Sequence, residues 1–226
     1  MKIQYCLPII KSSKTDILKT INTNKNVYDF FEVWLDYIND LDKAFLENLA
    51  KDLGGKLIVV FRRQNYEKQH MDLEKRLIFI SLFKNSPVLV DLDIVEQEKE
   101  IQYIKEDRLR INTLLSYHNY QKTPSDSTLR KIVDTMNIYK PTILKIAAMC
   151  NNKKDAIRLL GLTLELKDRG KNCIVLGMGE FGTITRIFGT LWGNEMIFAP
   201  KVVTEQSAPG QLTKSQLEVI FEQLKG

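Results

Sequence analysis

Residues 142–177 read TILKIAAM, CNN, KKDAIRLLGLTLELKDRG and KNCIVLG. Two short runs in this stretch, 142–149 and 172–177, are rich in Ile, Leu and Val and have the length of strands. Between them, 152–169 has the length and pattern of a helix and stops at Gly170, a residue suited to the left-handed turn that closes a helix. Strand, helix and strand in that order make a βαβ unit, with parallel strands joined by a crossover helix.

The same alternation extends in both directions. Strands are expected at 2–9 (KIQYCLPI), 30–36 (FFEVWLD), 56–62 (KLIVVFR), 87–94 (PVLVDLDI), 110–118 (RINTLLSYH) and 195–200 (EMIFAP), each bounded by polar, Gly or Pro residues. Leu41, Ala44, Phe45 and Leu49 lie on one face of a helix over 41–53 that Gly54-Gly55 ends, and Ser125 or Asp126 caps a helix over 127–139. Eight strands, each followed by a helix and without long insertions, predict one (β/α)₈ barrel over residues 1–226. A doubly wound open sheet shares the rhythm and is the alternative.

Composition narrows the class. The chain has 226 residues, 44% hydrophobic and 27% charged, with 33 Lys+Arg against 28 Asp+Glu for a net charge of +5. That is an ordinary globular balance, and its mild, dispersed basicity argues against nucleic acid as a partner. No apolar run has the length of a membrane span, and Pro8 in the short first run argues against a signal peptide. Cys6, Cys150 and Cys173 are isolated and odd in number, which points to a reducing compartment, the cytoplasm, rather than a disulfide framework. With only His70 and His118 and no CxxC or HxxxH spacing, no His/Cys metal site is expected.

Barrel strands are covered on both faces, so charged residues within them are the informative exceptions. Glu32, Trp34 and Asp36 share one face of the second strand and should point inward. Arg62 ends the third strand, Asp91 and Asp93 share a face of the fourth, and His118 ends the fifth. Lys145 lies inside TILKIAAM with apolar neighbours on both sides. A buried lysine with a lowered pKa is a nucleophile that forms a Schiff base with a carbonyl; the alternative is an ammonium paired to Asp91 or Asp93. His118 at a strand end suits general acid–base work, with Glu32 as the carboxylate that orients it. His70, in the charged stretch YEKQHMDLEK, reads as a solvated helix residue.

Gly177-Met178-Gly179-Glu180-Phe181-Gly182 matches GxGxxG after a strand. Too few residues follow for a nucleotide domain, so the milder reading is a loop whose N–H groups bind an anion, helped by Arg186 one turn into the next helix. Ser207-Ala208-Pro209-Gly210-Gln211 adds a loop with a hydroxyl and an amide.

Together these segments resemble the type I 3-dehydroquinate dehydratases, the Schiff-base enzymes of the shikimate pathway. Ser116 to Pro124 (SYHNYQKTP) is similar to that family's Ser-x-His-(Asp/Asn)-aromatic-x-x-Thr-Pro, and Leu144 to Ala147 follows His118 at the family's interval. Met178 to Arg186 (MGEFGTITR) resembles Met-Gly-x-x-Gly-x-x-Ser-Arg, and Ser207 to Gln211 is the family's Ser-Ala-Pro-Gly-Gln loop. The resemblance spans the chain and implies dehydration of 3-dehydroquinate without a cofactor or metal. It makes Lys145 the imine-forming residue, His118 the acid–base and Glu32 the group that holds it. Arg186, Ser207 and Gln211 would bind the substrate carboxylate, and Arg62 the polar side of the ring. Trp34 and Cys6 complete the substrate-contacting set, and a homodimer is compatible with the family. Another Schiff-base barrel of the class I aldolase kind is the competing enzyme. Two departures stand out. Trp34 replaces an arginine common in the family, and RQNYE (63–67) replaces a Glu-Gly-Gly-like stretch, leaving Glu67 as the suggested acidic counterpart. Thr185, in place of serine, keeps the hydroxyl.

Overall fold

The computed structural model describes residues 2–224. Eight strands and eight α-helices alternate: β1 (Tyr5–Ile9), α1 (Lys14–Asn24), β2 (Phe30–Trp34), α2 (Lys43–Leu53), β3 (Leu57–Val60), α3 (Leu73–Ser81), β4 (Leu89–Asp93), α4 (Glu98–Glu106), β5 (Asn112–Asn119), α5 (Asp126–Ile138), β6 (Ile143–Met149), α6 (Lys153–Asp168), β7 (Cys173–Met178), α7 (Thr183–Leu191), β8 (Ile197–Phe198) and α8 (Lys214–Leu224). The strands are parallel and pair in the order β7-β6-β5-β4-β3-β2-β1-β8, curling into a (β/α)₈ barrel. Every expected strand is present, and their sequential order, with β8 beside β1 and no reversal as in a doubly wound sheet, removes the open-sheet alternative.

The helix ends follow local chemistry. The Asp42 side chain accepts the Phe45 N–H (2.8 Å) and so starts α2 two residues later than its apolar pattern suggested; Gly54, at φ +52°, ends it. Ser125 caps α5 and Asn152 caps α6 through the same side-chain contact, and Gly170 beyond α6 has φ +67°.

Two apolar layers hold the barrel. Outward-facing strand residues such as Phe31, Val33, Leu57 and Val59 pack with helical Ile17, Leu46, Ile80 and Leu159. Inside, Ile58, Leu89, Leu114, Ile143, Ile174, Met196 and Phe198 form a plug. Each such fully buried side chain stabilises the fold by about 1.5–3 kcal/mol. On β4 and β5 the inward positions change from apolar to polar toward the C-terminal end, Leu89, Asp91, Asp93 on the one and Leu114, Ser116, His118 on the other, while on β6 Lys145 stands between Ile143 and Ala147. The plug fills the bottom of the barrel and the ionisable groups collect above it.

The β7–β8 edge is joined without a strand ladder between the two. The Glu195 N–H donates to Cys173 O (3.0 Å), and the Asn194 amide accepts from Val175 N (2.8 Å) and donates to Val175 O (3.0 Å), imitating a paired strand.

Strand β2 stops two residues short of its expected end, because Leu35–Tyr37 turns into a 3₁₀ helix. Asp36 therefore leaves the inward face. Its carboxylate accepts the backbone N–H groups of His70 (2.9 Å) and Met71 (2.8 Å) and anchors the β3–α3 loop. His70 lies in that loop, ahead of α3 rather than within a helix.

Candidate active site

Lys145 on β6 is 5% exposed, and its ammonium reaches across the barrel. It donates to Asp91 Oδ2 (2.9 Å) and Glu32 Oε1 (3.1 Å) and lies 4.2 Å from the centroid of the Phe198 ring. Burial pulls its pKa down, but Asp91 and Glu32 outweigh burial, and the net direction is upward. Of the two states open from the sequence, Lys145 thus rests as the ammonium paired to Asp91, with Glu32 as a second partner, rather than as a free amine. Asp91 also accepts from Arg62 (2.6 and 3.3 Å) and from Ser116 Oγ (2.6 Å). Although burial works against its charge, Arg62 and Lys145 hold its carboxyl well below the usual range.

His118 Nδ1 lies 2.8 Å from Asp93 Oδ2, and Nε2 lies 3.2 Å from an Arg62 guanidinium nitrogen. A carboxylate only accepts and a guanidinium only donates, so Nδ1 carries the proton and Nε2 the lone pair. Burial and then Arg62 hold the imidazole below its ordinary pKa against the pull of Asp93. Glu32, expected to orient His118, instead accepts from the indole N–H of Trp34 (2.8 Å) and from Lys145. The reason is position in the sheet: β4 adjoins β5, whereas β2 lies across the barrel from it. Trp34 faces inward, and the Arg62 guanidinium sits 5.4 Å from its ring centroid.

Glu67 is more than half exposed and pairs with Arg63 (3.5 Å). From the same segment it is Tyr66 that reaches His118, its hydroxyl lying 3.1 Å from Asp93 Oδ2 and 2.9 Å from the His118 carbonyl oxygen. Tyr120 stacks on the imidazole, with centroids 6.1 Å apart and planes at 16°.

Arg186 on α7 is 2% exposed and has no carboxylate partner among the described residues; it donates to Pro209 O (3.3 Å), and its Nε is buried without a partner. Burial pushes its pKa down to about 10. An uncompensated buried guanidinium is costly, and an incoming anion would balance it. The glycine-rich turn beside it does not hold that anion through its backbone. The Gly179 N–H donates to Pro209 O (3.3 Å) and the Gly177 N–H to Thr185 Oγ1 (2.6 Å). These glycines serve close packing: a Cβ on Gly182 would sit 2.4 Å from the Gly177 carbonyl carbon, and one on Gly210 would sit 2.6 Å from Gly179 O. Ser207 and Gln211 bind each other, the Gln211 amide donating to Ser207 Oγ (2.8 Å) and accepting the Ser207 N–H (2.8 Å).

Glu32, Trp34, Arg62, His118, Tyr120, Lys145, Arg186, Ser207 and Gln211 line one cavity whose free space is about 30 Å³, room for about one water. Cys6 does not line it and packs in the plug beneath. A wider cleft of about 280 Å³ opens on the outer surface beside Ile104, Ile138 and Tyr139, away from all of these groups. The sequence reading missed Tyr66 and Tyr120 as parts of the site, and saw Asp91 and Asp93 only as partners for a lysine.

Fold and cavity define a (β/α)₈-barrel enzyme with its ionisable groups gathered at the C-terminal ends of the strands. A sequence model of the type I 3-dehydroquinase family matches residues 5–226, and the chain belongs to that family. It is 29% identical to a 3-dehydroquinate dehydratase of Methanocaldococcus jannaschii, over 96% of each chain. It is also 29% identical to one of Methanosarcina acetivorans, over 87% of this chain and 86% of the relative. Among solved structures, 3-dehydroquinate dehydratase from Geobacillus kaustophilus superposes with a TM-score of 0.84 at 20% identity, covering 100% of this chain and 92% of that one. The type I enzyme from Clostridium difficile, with covalently modified comenic acid, gives 0.80 at 23% identity, covering 99% and 92%. At these identities the structures speak for the fold.

Proposed function

We propose that the chain converts 3-dehydroquinate to 3-dehydroshikimate and water through an imine on Lys145, with His118 moving the protons. The observation that carries this reading is one cavity shared by a lysine, a neutral histidine and a buried arginine with no carboxylate partner among the described residues. They supply a nucleophile, a base and an anion receptor.

The steps follow from the contacts. Arg186, with Ser207 and Gln211, takes the substrate carboxylate and sets the ring above Lys145. The Lys145 ammonium must lose a proton before its nitrogen adds to the C3 ketone. Glu32 is the acceptor, because Asp91 is already held by Arg62 and Ser116. Loss of water gives an iminium, an electron sink that makes the adjacent C2 proton acidic. His118 Nε2 removes that proton to leave an enamine. The enamine re-forms the iminium as the C1–O bond breaks, and the imidazolium returns its proton to the departing hydroxyl. Water then hydrolyses the iminium and frees Lys145. Arg62 stays on Asp91 throughout and turns from Nε2 toward the ring hydroxyls.

Cys6, Cys150 and Cys173 are free and buried, which supports a reducing compartment, and the cytoplasm is the proposed location. Pairing of two copies rests on family resemblance, and a solution mass checks it.

Borohydride added with substrate should inactivate the protein and leave a reduced adduct in the 141–153 peptide, while absorbance of the conjugated enone reports turnover. An adduct on another residue, or none, would reject Lys145 as the nucleophile.

A further inference from the structure

We propose that Asp93, braced by Tyr66, is the positioning residue that keeps the His118 proton on Nδ1 and turns the Nε2 lone pair to the cavity. The proposal rests on the reading in which His118 moves the protons, and it assigns the orienting role to groups of β4 and the β3–α3 loop instead of Glu32.

Asp93 is built for one orientation. It is fully buried at the end of β4. Its Oδ1 accepts the N–H groups of Val95 (2.9 Å) and Glu96 (3.1 Å), and its Oδ2 accepts from His118 Nδ1 (2.8 Å) and faces the Tyr66 hydroxyl (3.1 Å). Its own N–H is held by Gln97 Oε1 (3.0 Å). The carboxylate therefore cannot rotate without breaking several contacts, and the imidazole inherits that rigidity.

The second observation is backbone strain at Tyr66. Asn65 and Tyr66 have φ of +51° and +57°. A bulky aromatic residue in the left-handed region is rare and persists where surrounding contacts hold it. Here the strained turn delivers the phenol to Asp93 Oδ2 and the His118 carbonyl at once. The Tyr66 ring meets the imidazole edge-on (86°) on one side while Tyr120 stacks on another. Burial and then Asp93 push the Tyr66 pKa far up, so the phenol stays a donor.

The groups facing His118 are Asp93 on β4, Arg62 after β3, Tyr66 in the following loop, Tyr120 beyond β5, and Lys145 on β6, with Asp91 behind Arg62. Asp93→Asn keeps size, and its amide oxygen keeps the two backbone contacts. Its NH₂ then faces Nδ1, which must become the acceptor. The proton moves to Nε2, against the Arg62 donor, and the base is lost.

The chain has two histidines, so ¹⁵N-histidine labelling with His70→Gln as the assignment control reads the His118 tautomer directly. We expect the proton on Nδ1 in the wild type and on Nε2 in Asp93→Asn. We also expect kcat down about 10²–10⁴-fold, the share of a positioned acid–base group, and the borohydride adduct on Lys145 retained. With a carboxylate removed, the acid limb of the residual activity moves to lower pH. A wild-type proton on Nε2, an unchanged tautomer in Asp93→Asn, or undiminished kcat overturns the proposal. Should Asp93→Asn not fold, Tyr66→Phe decides. Freed of one donor, Asp93 holds the imidazolium more strongly and the acid limb moves up; an unmoved limb overturns the proposal. The tautomer is read without substrate, so a wild type with Nδ1–H but no turnover would count against the dehydratase reading alone.

Discussion

Arg186→Met should make the protein more stable and nearly inactive. The guanidinium is 2% exposed, meets no carboxylate among the described residues, and has its pKa pushed down to about 10 by burial. At about 1.4 kcal/mol per pH unit, the fall from the ordinary arginine value is a folding penalty of about 3 kcal/mol. The sign is clear. A cation with a depressed pKa in the native state carries the full penalty at any pH below that value, so it is present at pH 7 and is relieved only as pH rises past about 10. Methionine fills similar space and loses only the bond to Pro209 O (3.3 Å), worth about 1 kcal/mol. The net gain is about 2 kcal/mol, or roughly 4–8 °C in Tm for a chain of this size. In return the substrate carboxylate loses a charge-assisted contact, and kcat/KM should fall by about 10²-fold or more. Differential scanning calorimetry and the enone assay on the same preparation measure both. A lowered Tm would show that Arg186 is a structural strut, and an unchanged kcat/KM would remove it from substrate binding.

Trp34→Phe deletes the indole N–H that fixes the Glu32 carboxylate (2.8 Å), so Glu32 is no longer held in place to take the Lys145 proton. Losing one hydrogen bond to a charged group costs about 1.5–3 kcal/mol, so kcat should fall roughly 10–100-fold with KM little changed; a change in KM alone would make Trp34 a mere substrate contact. His118→Ala should lose about 10²–10⁴ in kcat while intact mass still shows a substrate adduct on Lys145, and near-normal turnover would remove His118 from the chemistry. In the wild type the acid limb of kcat should lie below the ordinary imidazole value of about 6.5, because burial and Arg62 disfavour the imidazolium; a limb above it would mean that Asp93 dominates.

The fold was legible in the sequence because it rests on local signals. Apolar runs such as LIVV (57–60) and ILKIAAM (143–149) have the length and composition of buried strands, and Gly54, Ser125 and Gly170 mark helix ends through their own side chains or conformations. The same periodicity put Lys145 and His118 on inward faces, and the motifs placed Arg186, Ser207 and Gln211 with them. What a strand pattern cannot state is which inward residue of one strand meets which of another. That depends on the stagger between strands and on who lies next door and who lies opposite. In the register, Asp93 stands beside Ser116, one inward step below His118 on the adjoining strand, and takes the imidazole. Lys145 reaches across the interior to Glu32, and Asp36 leaves the site because β2 ends in a 3₁₀ turn. Of the left-handed turn at Asn65–Tyr66 only Asn65, a residue type that tolerates that conformation, is a trace in the sequence; Tyr66 is not, and the contacts that hold its strain come from β4 and β5. Periodicity along one chain determined the barrel and put a lysine and a histidine inside it; packing between strands distant in sequence decided which charges pair, and so which nitrogen of His118 is free.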